Sequence, residues 1–139
     1  VVQCSIGMEP IAPRFNRDEA IRALEAGKIV IFAGGTGSPF FTTDTTSALR
    51  ALETDCDAVL KATKVDGVYT ADPFKDPAAT RYAELSFDEA LARQLKVMDS
   101  TAFSMCRDND LPIIVFNFSD PDSLERILSG DTEAGTIVS

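Results

Sequence analysis

Uninterrupted apolar runs alternate along this chain with amphipathic stretches, and that alternation constrains its fold more than any other feature. KIVIFA, Lys28 to Ala33, is continuous, apolar and rich in β-branched residues, the pattern of a strand covered on both faces. Before it, Asn16 precedes RDEAIRALEAG with Glu19 at capping-box distance, and Gly27 follows the last apolar position, so the spacing predicts one amphipathic helix. The order then repeats: a helix over Asp44 to Leu52, a buried strand over Ala58 to Lys61, and helices over Phe87 to Gln94 and Ala102 to Arg107. A strand over Leu111 to Phe118, a short helix DSLERIL stopped by Gly130, and a terminal strand TIVS complete it. The opening VVQCSIG reads as a strand already under way, so an N-terminal part is expected to be missing. Such alternation means α/β, with helices on both faces of a mostly parallel sheet: a three-layer αβα sandwich, incomplete at the N-terminus. In sheets of this kind ligands sit beyond the carboxyl ends of the strands. Two loops fall there, Gly34 to Thr43 and Ala62 to Pro77.

Composition narrows the chemistry. At 139 residues and 45% hydrophobic, the chain is the size of one domain, and residues 1–139 are read as a single unit able to bury a core. A formal charge of -9 repels polyanions and argues against a broad nucleic-acid surface held by phosphate contacts, but not against a nucleotide. The three cysteines, Cys4, Cys56 and Cys106, lack the paired spacing of a zinc or redox site, so a reducing, cytoplasmic setting is expected. No apolar run approaches bilayer-spanning length, so no membrane partner is expected. Histidine is absent, which leaves carboxylates, lysines, backbone amides or a hard metal for any catalysis.

GGTGSPFFTTD, Gly34 to Asp44, joins a strand to a helix. Glycines allow close approach of backbone to ligand, and the amides of Thr42, Thr43 and the following turn would point at an anion. No lysine follows the glycines as a P-loop demands, and Gly35, Gly37 and Phe40 do not match the dinucleotide fingerprint. Read as structure alone, this is a tight turn with Thr43 or Asp44 as N-cap and with Phe40 and Phe41 in the core. The string GTGSPFFTTD, however, closely resembles the corresponding loop of bacterial uridylate kinases, usually written with Asn where Ser38 stands. That resemblance implies a pyrimidine-nucleotide (UMP) site lined by Thr36, Gly37, Ser38, Pro39, Phe40, Phe41, Thr42 and Thr43. It also implies that Asp44 lies near the transferred phosphate and its magnesium ion.

The second loop, in LKATKVDGVYTADPFKDP, turns at Asp66-Gly67 and is punctuated by Pro73 and Pro77. Its structural reading is a surface hairpin, and Lys75 and Asp76 fit that as solvated residues. An ammonium at a strand end (Lys61) can balance phosphate charge, while an aromatic can flank a purine and a carboxylate can hold ribose or base donors. KATKVDGVYTADP resembles uridylate kinases strongly and the wider amino-acid kinase family more loosely, and there Thr63, Tyr69 and Asp72 fall on ATP-binding positions. LKVMDSTAFSMCRDNDLPIIVFN resembles the same family, with Asp99 as the N-cap of a helix bearing Phe103 and Met105 and with Arg107 and Asp108 as a solvated helix end.

The resemblance covers nearly the whole chain from about Arg17 onward and implies the C-terminal, nucleotide-binding part of an amino-acid kinase-like domain. The implied reaction is transfer of the γ-phosphate of ATP to UMP, in pyrimidine biosynthesis, with Mg2+ bridging phosphate oxygens, Lys61 neutralising charge and Asp44 placing the metal. Members of the family also carry an N-terminal Lys-x-Ser-Gly loop and a glycine-triplet loop and assemble as hexamers. Neither loop occurs here, so turnover by this stretch alone is not expected. Two other readings stand beside it: a glutamate, carbamate or aspartate kinase of the same family, and a nucleotide-binding module without chemistry.

Overall fold

The computed structural model describes residues 1–139. Its elements run β1 (Val2–Cys4), α1 (Arg17–Glu25), β2 (Ile31–Ala33), α2 (Thr43–Glu53), β3 (Val59–Thr63), β4 (Glu84–Leu85), α3 (Phe87–Ala92), α4 (Ser100–Asp108), β5 (Ile113–Asn117), α5 (Ser123–Leu128) and β6 (Gly135–Val138). This is the expected α/β class, and pairing is mostly parallel: β1 with β2, β3 with β5 and β4 with β6, against one antiparallel pair, β5 with β6. The backbone divides into two compact units, Val1–Asp57 with Asp99–Met105, and Ala58–Met98 with Cys106–Ser139.

In the first unit, α1 begins where the capping pattern puts it. The Asn16 side chain accepts a hydrogen bond from the Glu19 amide at 3.0 Å, satisfying one of the donors that a helix start leaves without a partner. Its end explains why the following strand is shorter than KIVIFA predicts. Gly27 takes φ 71°, and the Lys28 amide turns back to Ala23 O at 3.0 Å, so Lys28 finishes the helix rather than starting the strand. Only Ile31–Ala33 pair, with Val2–Cys4, and burial on both faces does not occur: Ile29 is 81% and Ile31 56% exposed. Alternate side chains of a strand point to opposite faces, and this two-stranded sheet leaves the face carrying Ile29 and Ile31 uncovered. The packed side is built from Cys4, Ala12, Ala20, Ala48 and Ala51, together with an edge-to-face Phe15–Phe32 pair whose centroids are 5.6 Å apart.

In the second unit the strand order is β3-β5-β6-β4. β3 runs on to Thr63, past the expected end at Lys61, because its pairing with β5 continues to Thr63↔Asn117. β5 starts later than expected. The Leu111 amide is taken by Cys106 O at 2.9 Å and Pro112 has no N–H to give, so the ladder opens at Ile113. β4, two residues long, has too few positions to show alternation in sequence and was not expected; it exists because β6 offers it an edge. Ile113, Val115, Thr136 and Val138 form the buried centre. No helix is long and apolar enough to cross a membrane.

Candidate functional site

The first loop forms a concavity of about 250 Å3 lined by Ile6, Gly34–Gly37, Ser38, Phe41, Thr42, Thr43 and Thr46. Glycine is required at its base: Gly34 has φ +75°, and a Cβ there would lie 2.8 Å from the Cys4 sulfur. Six of the eight residues expected to line the UMP site are in this wall; Pro39 and Phe40 are not. Phe40 and Phe41 are not core residues. Phe40 is fully exposed, at 102%, with φ 71°, a conformation costing about 1 kcal/mol or more for a non-glycine residue, and Phe41 is 54% exposed.

The helix cap also differs from expectation, being Thr42 rather than Thr43 or Asp44. Its hydroxyl accepts from the Thr45 amide at 3.2 Å, and its carbonyl accepts from the Thr46 amide at 3.1 Å. The amides of Thr45 and Thr46 are therefore engaged within the chain, which narrows the anion donors expected of this turn. Asp44 sits in the first turn of α2, half-buried and outside the lining of the concavity.

Asp99 holds the loop's far end. One carboxylate oxygen accepts from the amides of Thr101 and Ala102 at 3.0 and 3.1 Å, the capping role its position predicts. The same carboxylate accepts from the hydroxyls of Thr42 and Thr45, tying the start of α2 to the start of α4, a link for which sequence offers no signal. Burial pushes its pKa up, but the hydrogen bonds from Thr42, Ala102, Thr45 and Thr101 outweigh that and hold it below the usual 3.8.

The second loop closes on itself. Tyr69 pairs with Arg81 as an isolated antiparallel bridge, flanked by Thr70 N to Thr80 O at 3.0 Å and Tyr82 N to Val68 O at 2.9 Å, the expected hairpin. Gly67 is packed so closely on Thr136 Oγ1 and the Arg81 side chain that a Cβ would collide with both. Beside the hairpin lies a cavity of about 610 Å3, lined by Val65, Gly67–Phe74 and Arg93–Lys96. Tyr69 and Asp72 are in its wall; Thr63 and Lys61 are not. The Thr63 hydroxyl is spent on the turn, donating to Val65 O at 2.7 Å and accepting from Val65 N at 3.0 Å. Lys61 Nζ donates to Val97 O at 2.9 Å. Tyr69 donates its phenol to Asp66 at 2.7 Å, and that hydrogen bond, with burial and the carboxylate charge against a weaker opposing effect of Arg81, raises its pKa above 10.0. Asp72 pairs with Lys75 at 3.3 Å and accepts from Phe74 N, so Lys75 does more than face solvent.

Sequence reasoning missed Arg93, Gln94, Leu95 and Lys96, which follow α3 and enter the second cavity only by folding back beside the hairpin. It missed Ile6 and Thr46 in the first wall, although Thr46 lies one helical turn beyond the cap and could have been read from the period. No group of three or more cysteine, aspartate or glutamate side chains is arranged to hold a metal by itself.

The fold is α/β, with one concavity framed by a strand-to-helix turn of glycines and threonines and a second, larger cavity beside the hairpin. The sequence model of the amino acid kinase family matches residues 6–117, and this chain belongs to that family. Among solved structures it is similar to UMP kinase from Bacillus anthracis, with a TM-score of 0.95 at 40% identity over 99% of this chain and 57% of that one. UMP kinase from Ureaplasma parvum gives a TM-score of 0.93 at 36% identity, covering 100% of this chain and 59% of that one. Uridylate kinase from Archaeoglobus fulgidus gives 0.69 at 31% identity, covering 89% of this chain and 58% of that one. The chain thus spans less than two thirds of the length of these structures.

Proposed function

We propose that this chain is the nucleotide-binding part of a UMP kinase, which transfers the γ-phosphoryl group of ATP to UMP to give UDP and ADP. The observation that carries the reading is the 40% identity to a UMP kinase over 99% of the chain, with GTGSPFFTTD framing a concavity. Phosphoryl transfer needs positioning and charge neutralisation more than covalent chemistry, which suits a chain without histidine.

In this reading UMP lies against the glycine and threonine wall, where Thr43 brings a hydroxyl group while those of Thr36 and Thr42 are engaged with Ser38 and Asp99. ATP takes the larger cavity, whose 610 Å3 falls within the roughly 300–1,000 Å3 usual for small-molecule sites. Tyr69 offers a ring face for the base and Asp72 a carboxylate for ribose or base donors, while Thr63 shapes the turn that borders them. Lys61, in the middle of β3, contributes positive charge. Magnesium is held mostly by water and substrate phosphates with one or two carboxylates, so a site with Asp44 as the single protein carboxylate fits it; the ion would neutralise phosphate charge.

Phosphorus NMR on the whole protein with ATP and magnesium, offering UMP, glutamate or carbamate in turn, tests the reading. UDP should form only with UMP. Transfer to glutamate or carbamate with none to UMP would select the other branch of the family, and binding of both nucleotides without UDP would select a binding module.

A further inference from the structure

Arg50 is the one charged residue of α2 that the fold buries, at 8% exposure. A guanidinium removed from water needs compensation from several sides, and it has three partners. One nitrogen pairs with Glu53, another donates to Ser5 Oγ at 3.0 Å, and the guanidinium carbon lies 3.7 Å from the centre of the Phe15 ring. Ser5 has a single hydroxyl proton, and it goes to the carbonyl of Gly35. The result is a directed chain, guanidinium to hydroxyl to carbonyl, in which the charge at one end polarises and strengthens the bond at the other. Ser5 is itself held, its amide donating to Ala33 O at 3.0 Å.

The carbonyl at the end of this chain belongs to the Gly35–Thr36 peptide. Rotation of that peptide turns on Gly35 ψ and Thr36 φ, and Gly35, at φ +60°, has no Cβ to oppose it from its side. In a planar trans peptide the C=O and the next N–H point in opposite directions. Anchoring Gly35 O on Ser5 therefore turns the Thr36 N–H away from Ser5, in the segment that lines the concavity.

We infer that Arg50 and Ser5 are positioning residues that hold the Gly35–Thr36 peptide with its N–H presented to the anionic phosphate of the nucleotide bound in this concavity. The inference rests on the reading of that concavity as the nucleoside-monophosphate site. Neither residue touches the nucleotide; both act through the peptide.

The test compares UMP with uridine, which lacks the phosphate. The wild-type protein should bind UMP more tightly than uridine, and Ser5→Ala should weaken UMP roughly tenfold, the loss of one charge-assisted hydrogen bond, while leaving uridine and ATP binding in place; the melting temperature should fall, because a nitrogen of the buried Arg50 loses its acceptor. Ser5→Thr, which keeps the hydroxyl, should restore UMP binding. Arg50→Lys, which keeps the charge but not the forked donor, should behave as Ser5→Ala does. In amide NMR, saturating UMP should shift the Thr36 resonance further in the wild type than in Ser5→Ala, and uridine should shift it equally in both. Equal loss of UMP and uridine in Ser5→Ala, or an unchanged UMP affinity, would overturn the positioning role while the UMP reading stood. A wild-type protein that binds no UMP would remove both.

Discussion

The two loops that leave β2 and β3 reach similar ends by opposite means. The first is held from afar: Ser5 grips Gly35 across 30 residues of chain, Arg50 grips Ser5 across 45, and Asp99 grips Thr42 across 57. The second is held mostly by its own residues, with Tyr69 on Asp66, Thr63 on Val65, Lys75 on Asp72 and a bridge between Tyr69 and Arg81. A loop of glycines and hydroxyls has little with which to brace itself, so its shape depends on distant side chains. A loop with a hairpin register braces itself and leaves its shape to local changes.

That contrast can be broken most forcefully at Gly67, where the second loop does depend on a distant contact. Gly67→Val drives a side chain into Thr136 Oγ1, which accepts from Val68 N at 2.9 Å and donates to Tyr82 O. Chemical denaturation should show a loss near the top of the roughly 1–3 kcal/mol typical of overpacking. ATP binding should fall with it.

Asp99 comes next. Asp99→Ala removes a helix cap and leaves the Thr42 and Thr45 hydroxyls without their acceptor, for a loss of roughly 0.5–2 kcal/mol by urea unfolding. UMP binding should weaken more than ATP binding; the reverse order would contradict the assignment of this tether to the first loop. The pH dependence has a definite sign. The folded carboxyl is more acidic than its 3.8 reference, so its stabilisation is present above that value and is lost as pH falls through the lower folded value. Asp99→Asn cannot titrate, and its stability should decline less steeply than that of the wild type below about pH 4.

The smallest effect belongs to Tyr69→Phe, which removes one exposed hydrogen bond from a loop braced at several other points. Stability should change by less than ~1 kcal/mol. In the wild type, ultraviolet titration should find this phenol ionising above the ordinary tyrosine range, and Asp66→Asn should bring it down. A large loss of stability on this substitution would mean that the second loop is not self-braced.

Much of this was legible in the sequence wherever the controlling interaction is short in range. The Asn16 cap, the Asp99 cap and the stop at Gly130 were read correctly because each joins residues a few positions apart. Strand positions were approximately right and their ends were wrong, since the ends depend on which amides a neighbouring helix has already taken, as Ala23 and Cys106 take those of Lys28 and Leu111. The aromatic pair Phe40 and Phe41 was misread as core by its structural reading, because hydrophobicity alone does not tell a buried ring from one held outward by a left-handed backbone.

By itself, then, the order of residues determined the α/β class, the local caps and turns, and the strings that mark the family. Only the tertiary structure decided that the Arg50 charge is spent through Ser5 on a loop carbonyl, that Asp99 serves two helices at once, and that Arg93 to Lys96 face the second cavity. The reason is one of range. A cap or turn forms between groups the backbone already holds within reach, whereas a bond closing a loop of 45 or 57 residues forms only after packing has met the entropy of bringing those segments together.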